Sequence, residues 1–600
     1  MANQRAALLQ SVCVSNLFAR PPTVEFRPEQ THCPNCGTKL RVRKTRTRTV
    51  STLHLGPFQA REVFLICNAC AHMQRSEELA ALVPPGANFG YDVIVHAGEA
   101  LFLRHRNEAE VVAEFALKNV RISPREVSLL GMKFVVYLAL AHQRCAPALH
   151  ADMLTRGGYI CHLDATCEGG NPFLMSSIDS LSNIVLGNVK LPAEDEAHVV
   201  LFLERLKATF GIPAALVHDM GKGILAAVAA VFPGVADFIC HFHFLRDIGK
   251  DLLGAEYETV RKRLSHHGIS ATLRYRAKQL KREMDANPAM SHALQDSLKN
   301  ASLPAEALAF APVVGTYTLI QWALSAKTQG DGYGFPFDHP HLAFALRLQR
   351  LNADIERIKN IHLRGQWRDN RPYFKLYLAL QPIMNDKTLW KAVKALEAKI
   401  TVFEKLRKAM RIAAPAGSQG LNDEGGSGNI RTIEKRVTAF RAWLTRRKDY
   451  PQDRAAQKMI EQIDRYWKKL FADPITVQMP SGPILIQPQR TNNLLEQFFR
   501  SLKRAHRRRT GNAASGRMLR TILAETPLVR NLQSPHYMTL LLNGKSSLEE
   551  VFAEIEIGSL RQAFREARID PESIPSKLKP IIAMADFPER FVHMVKKGVA

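Results

Sequence analysis

The chain has 600 residues, 46% of them apolar, enough to fill roughly two to four separate cores. With 82 Lys and Arg against 56 Asp and Glu the formal charge is +26, a surplus that must sit on the surface and draw in polyanions, nucleic acid first. No apolar run approaches the ~18 residues that span a bilayer, and the start MANQRAALLQSVCVSNLFARPP lacks the pattern of a secretory signal, so the expectation is a cytoplasmic protein without disulfides.

After an N-terminal segment, 1–27, the first unit is 28–75. Cys33-Pro-Asn-Cys36 and Cys67-Asn-Ala-Cys70 each place two thiolates on one turn, and two such turns complete a closed tetrahedral site for a structural Zn²⁺. Between them Lys39, Arg41, Arg43, Lys44, Arg46 and Arg48 lie in a β-compatible segment suited to tracking DNA phosphates, or to a solvated strand. Residues 76–157 read as helical, with a break at Arg121-Ile-Ser-Pro and an apolar stretch from Val127 to His142. Ser123 before Pro124 is a good helix start, and the pattern suits either a helix-turn-helix or a plain helical linker.

From Gly157-Gly158 the period changes. Tyr159–Asp164, Phe173–Ile178 and Asn183–Leu186 predict three successive strands. A helix over Ala193–Phe210, a strand at Ala214–His218, a helix over Ile224–Phe232 and a strand at Asp237–Cys240 follow, which together indicate a mixed α/β sheet over 158–243. The segment 244–489 reads as a long helical insertion, interrupted at Gln329–Gly334 and by a flexible loop at Ala414–Gly428, with a hairpin over Ile475–Ile486 at its end. A helix from Asn492 opens 490–530, and 531–600 is a helical tail.

Asp164 ends one apolar strand, Asp219 follows another, and Glu496 lies in the first turn of a late helix. Singly, each has a plain use: the two Asp as turn or helix caps, and Asn493-Leu-Leu-Glu496 as a capping box. Carboxylates at the ends of neighbouring strands can also converge on one sheet edge and hold Mg²⁺. In HLDATCEGG, in VHDMGKGILAAVAAVFPGVADFICHFHFLRDIGKDL and in RTNNLLEQFFRSLKRAHRRRTG, these acids resemble the three blocks of DDE transposases, bacterial insertion-sequence enzymes of the retroviral-integrase superfamily. Cys240-His-Phe-His243 is similar to the CxxH element that follows the second acid in several such families.

The resemblance spans roughly Tyr159 to Leu519. It implies a ribonuclease-H-like core in which Asp164, Asp219 and Glu496 hold two Mg²⁺ ions, Mn²⁺ substituting, for cleavage of DNA at terminal inverted repeats and strand transfer into target DNA by a homo-oligomer. Arg500, Lys503, Arg507 and Arg508 would meet DNA phosphates. Cys240 and His243 could be a metal pair, with a structural role beside the site preferred; His162 and His218 read as core neighbours, and Glu168 and Asp179 are left outside the metal shell. Two other readings stand: a zinc-ribbon DNA-binding regulator descended from a transposase and no longer catalytic, and a zinc-dependent nuclease using His218, Cys240 and His243.

Overall fold

The computed structural model describes residues 21–300, 302, 304–330, 332–361, 367, 370–412, 430–479, 482–567 and 577–599. Residues 1–20 of the N-terminal segment, the loop expected at Ala414–Gly428 and the hairpin-turn residues Pro480 and Ser481 lie outside the described residues. The architecture is multidomain α/β with mixed sheets.

The amino-terminal sheet is built on a long hairpin, β2 (Arg41–Thr52) against β3 (Gly56–Ile66), with β1 (Thr23–Phe26) parallel to the other edge of β3 and the short β4 (Met73–Gln74) closing it. One end packs Phe26, Val50, Phe58 and Ala60 against Leu79 and Val83 of the following helix. At the other end Leu40, Val63 and Leu65 pack with Cys33 and Cys67. Both clusters are small, so the sheet relies on its four strands and the packed helix as well as on them.

Downstream, 76–157 is helical: Tyr91–Phe102 and Glu108–Leu117 precede the break, and a single 32-residue helix, Pro124–Thr155, follows it. It starts as the sequence suggested, with Pro in the first turn and a reciprocal capping box between Ser123 and Glu126. Its apolar face then continues beyond His142 through Leu149 and Met153, so nothing ends it before Gly157. This helix lies in the same hydrophobic core as the central sheet and the C-terminal helices to Leu560. His142 seals that contact: one ring nitrogen donates to Leu186 O at 3.0 Å and the other accepts from the Tyr537 hydroxyl at 2.9 Å.

The central sheet has five strands in the order β7-β6-β5-β8-β9. β5 (Ile160–Thr166), β6 (Phe173–Asp179) and β7 (Ile184–Leu191) form an antiparallel meander, while β8 (Ala215–His218) and β9 (Ala236–Ile239) are parallel to β5. The helices Glu196–Phe210 and Lys222–Val231 connect the parallel strands and bury Val199, Phe202, Leu203, Ala227 and Val228 in the sheet's core. At the entrance to β5, Gly157 has φ +82°, and a Cβ there would lie 1.8 Å from Val477, so glycine lets the late hairpin, β10 (Ile475–Met479) and β11 (Gly482–Ile486), close on the sheet.

Between β9 and that hairpin the described residues are helical, beginning with His241–His266, and carry a second core that includes Leu252, Leu348, Leu376, Leu396, Phe403 and Ile463. One expectation is corrected here. Ala307–Thr328, within the insertion, is a 22-residue helical stretch with a window mean hydropathy of 1.4, long and apolar enough to cross a membrane by length and composition. Thr316, Tyr317, Thr318 and Gln321 interrupt the apolar run without adding charge. Its Ile320, Ala323 and Ala326 are in the insertion core.

Candidate functional site

In β5, alternation sends Cys161 and Leu163 to the helix-packed face of the sheet and turns His162 and Asp164 to the other. β8 pairs with β5 only as far as His162 opposite Val217, so Asp164 extends past the pairing, and Asp219 follows the last residue of β8. The two acids thus stand at the carboxyl ends of neighbouring parallel strands, where open α/β sheets place their ligands. The helix Asn493–Thr510 begins beside β5 and carries Glu496 in its first turn.

These three carboxylates are brought into one electrostatic environment. Asp164 is 6% exposed, and its recorded hydrogen bond comes from the backbone N–H of Ala165 at 2.8 Å. Burial, then Asp219, then Glu496 hold its carboxyl well above the usual range. Burial also raises Asp219, against the Gly221 N–H that donates to it at 2.9 Å, and Glu496, against Arg500 at 3.7 Å. The acids remain more open than the cysteines: among the described residues, Cys33, Cys36, Cys67 and Cys70 are the group whose potential ligand atoms all lie within 4.8 Å of one another. That cluster could hold a structural metal such as zinc.

Two charged groups at the acidic edge were not anticipated. Glu194, in the turn before the helix Glu196–Phe210, reaches the Asp219 loop: a Cβ on Gly221 would lie 2.4 Å from Glu194 Oε1 and 3.1 Å from Asp219 Oδ1, which places both carboxylates beside the Gly221 backbone. Burial and then Asp219 raise Glu194 to about 7. In sequence it looks like one more acid at a helix start. Arg246, in the second turn of His241–His266, lowers all three of Asp164, Asp219 and Glu496, and its buried Nε has no hydrogen-bond partner. Nothing in its spacing separates it from other helix cations.

The histidine–cysteine elements are buried beside the acidic edge. His218 is fully buried, with Nδ1 donating to Asp219 O at 2.7 Å and Nε2 3.6 Å from Asp237. Cys240 accepts the N–H of Asn492 at 3.2 Å, and His243 Nε2 lies 3.6 Å from Glu496. By that same measure neither His218, Cys240 and His243 nor Asp164, Asp219 and Glu496 form a closed ligand cluster among the described residues. Asp179 is occupied by the N–H groups of Ile160, Leu181 and Ser182, and Glu168 by that of Gly516. The expected capping box at Asn493 is not formed. Asn492 is the N-cap, and its side chain makes no cap bond.

Of the basic residues, Lys39, Arg41, Arg43, Lys44 and Arg46 are exposed along the ribbon, while Arg48 turns inward to Glu62 at 3.6 Å. On the Glu496 helix Leu495, Phe498 and Phe499 are buried, Arg500, Arg507 and Arg508 exposed and Lys503 half-buried; among the described residues Lys503, Arg507 and Arg508 make no ion pair. No family model matches the chain. No curated protein matches it either.

Proposed function

We propose that the protein is a DNA transposase that cuts and joins DNA strands at the edge where Asp164, Asp219 and Glu496 meet. The observation that carries this reading is the convergence itself. Three acids tens to hundreds of residues apart in sequence, one on a strand, one just past its parallel neighbour and one on a late helix, come close enough that Asp219 and Glu496 both raise the buried Asp164, a cost that a bound cation would relieve. The antiparallel meander followed by parallel strands supports a ribonuclease-H-like reading of the sheet.

Hard carboxylate oxygens around a buried, underused Asp164 fit Mg²⁺ or Mn²⁺ rather than a soft ion. Asp164, Asp219 and Glu496 would hold two such ions, which when bound supply Lewis-acid activation of the attacking and leaving oxygens. The chain's own contribution is placement. Sheet and helix hold the acids at fixed points, and Arg246 adds positive charge beside them. Lys503, Arg507 and Arg508 carry charge along the Glu496 helix toward the phosphates of a bound duplex, and the cysteine-stapled ribbon gives a second cationic contact for the element's terminal repeats.

The test is Mg²⁺-dependent nicking of DNA carrying the repeats that flank the gene. Asp219→Asn keeps the shape and removes the charge, so cleavage should fall by orders of magnitude while DNA binding persists. Wild-type protein that binds this DNA and never cuts it with Mg²⁺ or Mn²⁺ is a regulator instead. Near-normal nicking by Asp219→Asn refutes the site.

A further inference from the structure

Asn492 sits where the three acid-bearing elements meet, and each of its polar groups is used. Its Oδ1 accepts from His162 Nδ1 at 2.9 Å, and its Nδ2 donates to Leu163 O at 2.7 Å, so the amide grips the two β5 residues immediately before Asp164. Its carbonyl accepts the N–H of Glu496 at 2.9 Å, the first turn of the helix. Its N–H donates to Cys240 Sγ at 3.2 Å, and the Cys240 N–H donates to His218 O at 2.8 Å, one residue before Asp219. Asn492 and Cys240 are both fully buried.

An N-cap Asn ordinarily turns its side chain back to the second or third N–H of its own helix. Here that stabilisation is absent and the amide is spent on the neighbouring strand. The strand contact needs an acceptor and a donor on one short planar group: Asp lacks the donor, Ser the second arm, and Gln is a methylene too long. We propose that Asn492 is the positioning residue of the acidic site, setting the separation of Asp164 from Glu496, with Cys240 tying Asp219 to the same junction. The Cys240-His-Phe-His243 element then contributes a hydrogen-bonding strut, which accounts for its cysteine without a metal.

This inference rests on the catalytic reading above, so its test measures metal binding as well as cleavage, on the full-length, zinc-loaded protein. Mn²⁺ binding is followed by electron paramagnetic resonance for wild type, Asn492→Asp and Asn492→Ala at a temperature where circular dichroism shows all to be folded. Both variants should bind Mn²⁺ about tenfold or more weakly, with nicking recovering at raised metal concentration. A merely stabilising residue would lower the melting temperature and leave the metal dependence alone; that result, or wild-type Mn²⁺ affinity in both variants, overturns the proposal. Should they fail to fold, Cys240→Val, which removes only the acceptor of the Asn492 N–H, must weaken Mn²⁺ binding, and Cys240→Ser, which keeps an acceptor, must bind more tightly than Cys240→Val. Equal, wild-type binding by that pair overturns the proposal too. Wild-type protein that binds no Mn²⁺ brings down the catalytic reading itself, a result distinct from a wild type that binds and variants that bind equally well.

Discussion

The ribbon and the acidic edge are both candidate metal centres, and they are built in opposite ways. In the ribbon, the four cysteines flank one hairpin: two turns at the ends of β2 and β3 bring Sγ atoms from Cys33 and Cys70, and from Cys36 and Cys67, to 3.4 Å. The acidic edge draws on β5, the end of β8 and a helix that lies beyond the whole insertion, and its carboxylates are set by a sheet register and a buried amide. A local site can be lost without the fold, and a fold can survive without it. An assembled site depends on the packing of the entire domain.

The largest expected effect separates the two centres directly. Cys67→Ser should reduce tightly bound zinc from one ion per chain to none, loosen the ribbon and weaken DNA binding by roughly tenfold or more, while the melting of the central core is unchanged. Metal analysis of the purified variant, with calorimetry of the core transition, reads both. Native protein without zinc would end the ribbon reading, and a core transition that falls with the ribbon would end the claim of independence.

A smaller effect concerns the core around the assembled site. Burial depresses His142 and His162 to about 4 from the model-compound value of 6.5, because each is held neutral inside the protein. A lowered histidine favours the unfolded state as it protonates, so the stability these two residues carry is complete above about pH 6.5 and is lost as the pH falls toward 4, on the order of 3 kcal/mol for each. Core melting followed from pH 7 to pH 4 should lose this contribution in wild type and keep the His142 share of it in His142→Gln, over a background in which Glu194, raised to about 7, contributes the opposite slope. An unchanged slope in His142→Gln would assign the acid sensitivity elsewhere.

The smallest effect lies on the exposed face of the helix that carries Glu496. Lys503→Ala and Arg507→Ala should each lower the slope of log binding constant against log salt by roughly one unit, with folding unaltered. Ribbon substitutions such as Arg41→Ala and Arg46→Ala should do the same if both centres face one duplex. Slopes that respond only to the ribbon set would leave the helix as an ordinary amphipathic one.

Local chemistry was the legible part of this protein. Paired cysteines, short apolar strands bounded by Gly and Asn, Ser123-Pro124 at a helix start and the apolar stripe of Leu495, Phe498 and Phe499 are all written within a turn or a strand, so period and spacing reveal them. Asp164, Asp219 and Glu496 stand out in the sequence only through the resemblance of their surroundings, since each taken singly has the plain reading of a cap. Tertiary structure decided the rest. The helix Pro124–Thr155 runs on because its later residues find a sheet to cover, Glu194 is raised by Asp219 because the fold brings its turn to the end of β8, and Asn492 abandons its own helix for Leu163 because the strand is there to receive its amide. Those partners lie tens to hundreds of residues away, and no pattern within a local window carries the position of a group that only folding brings near.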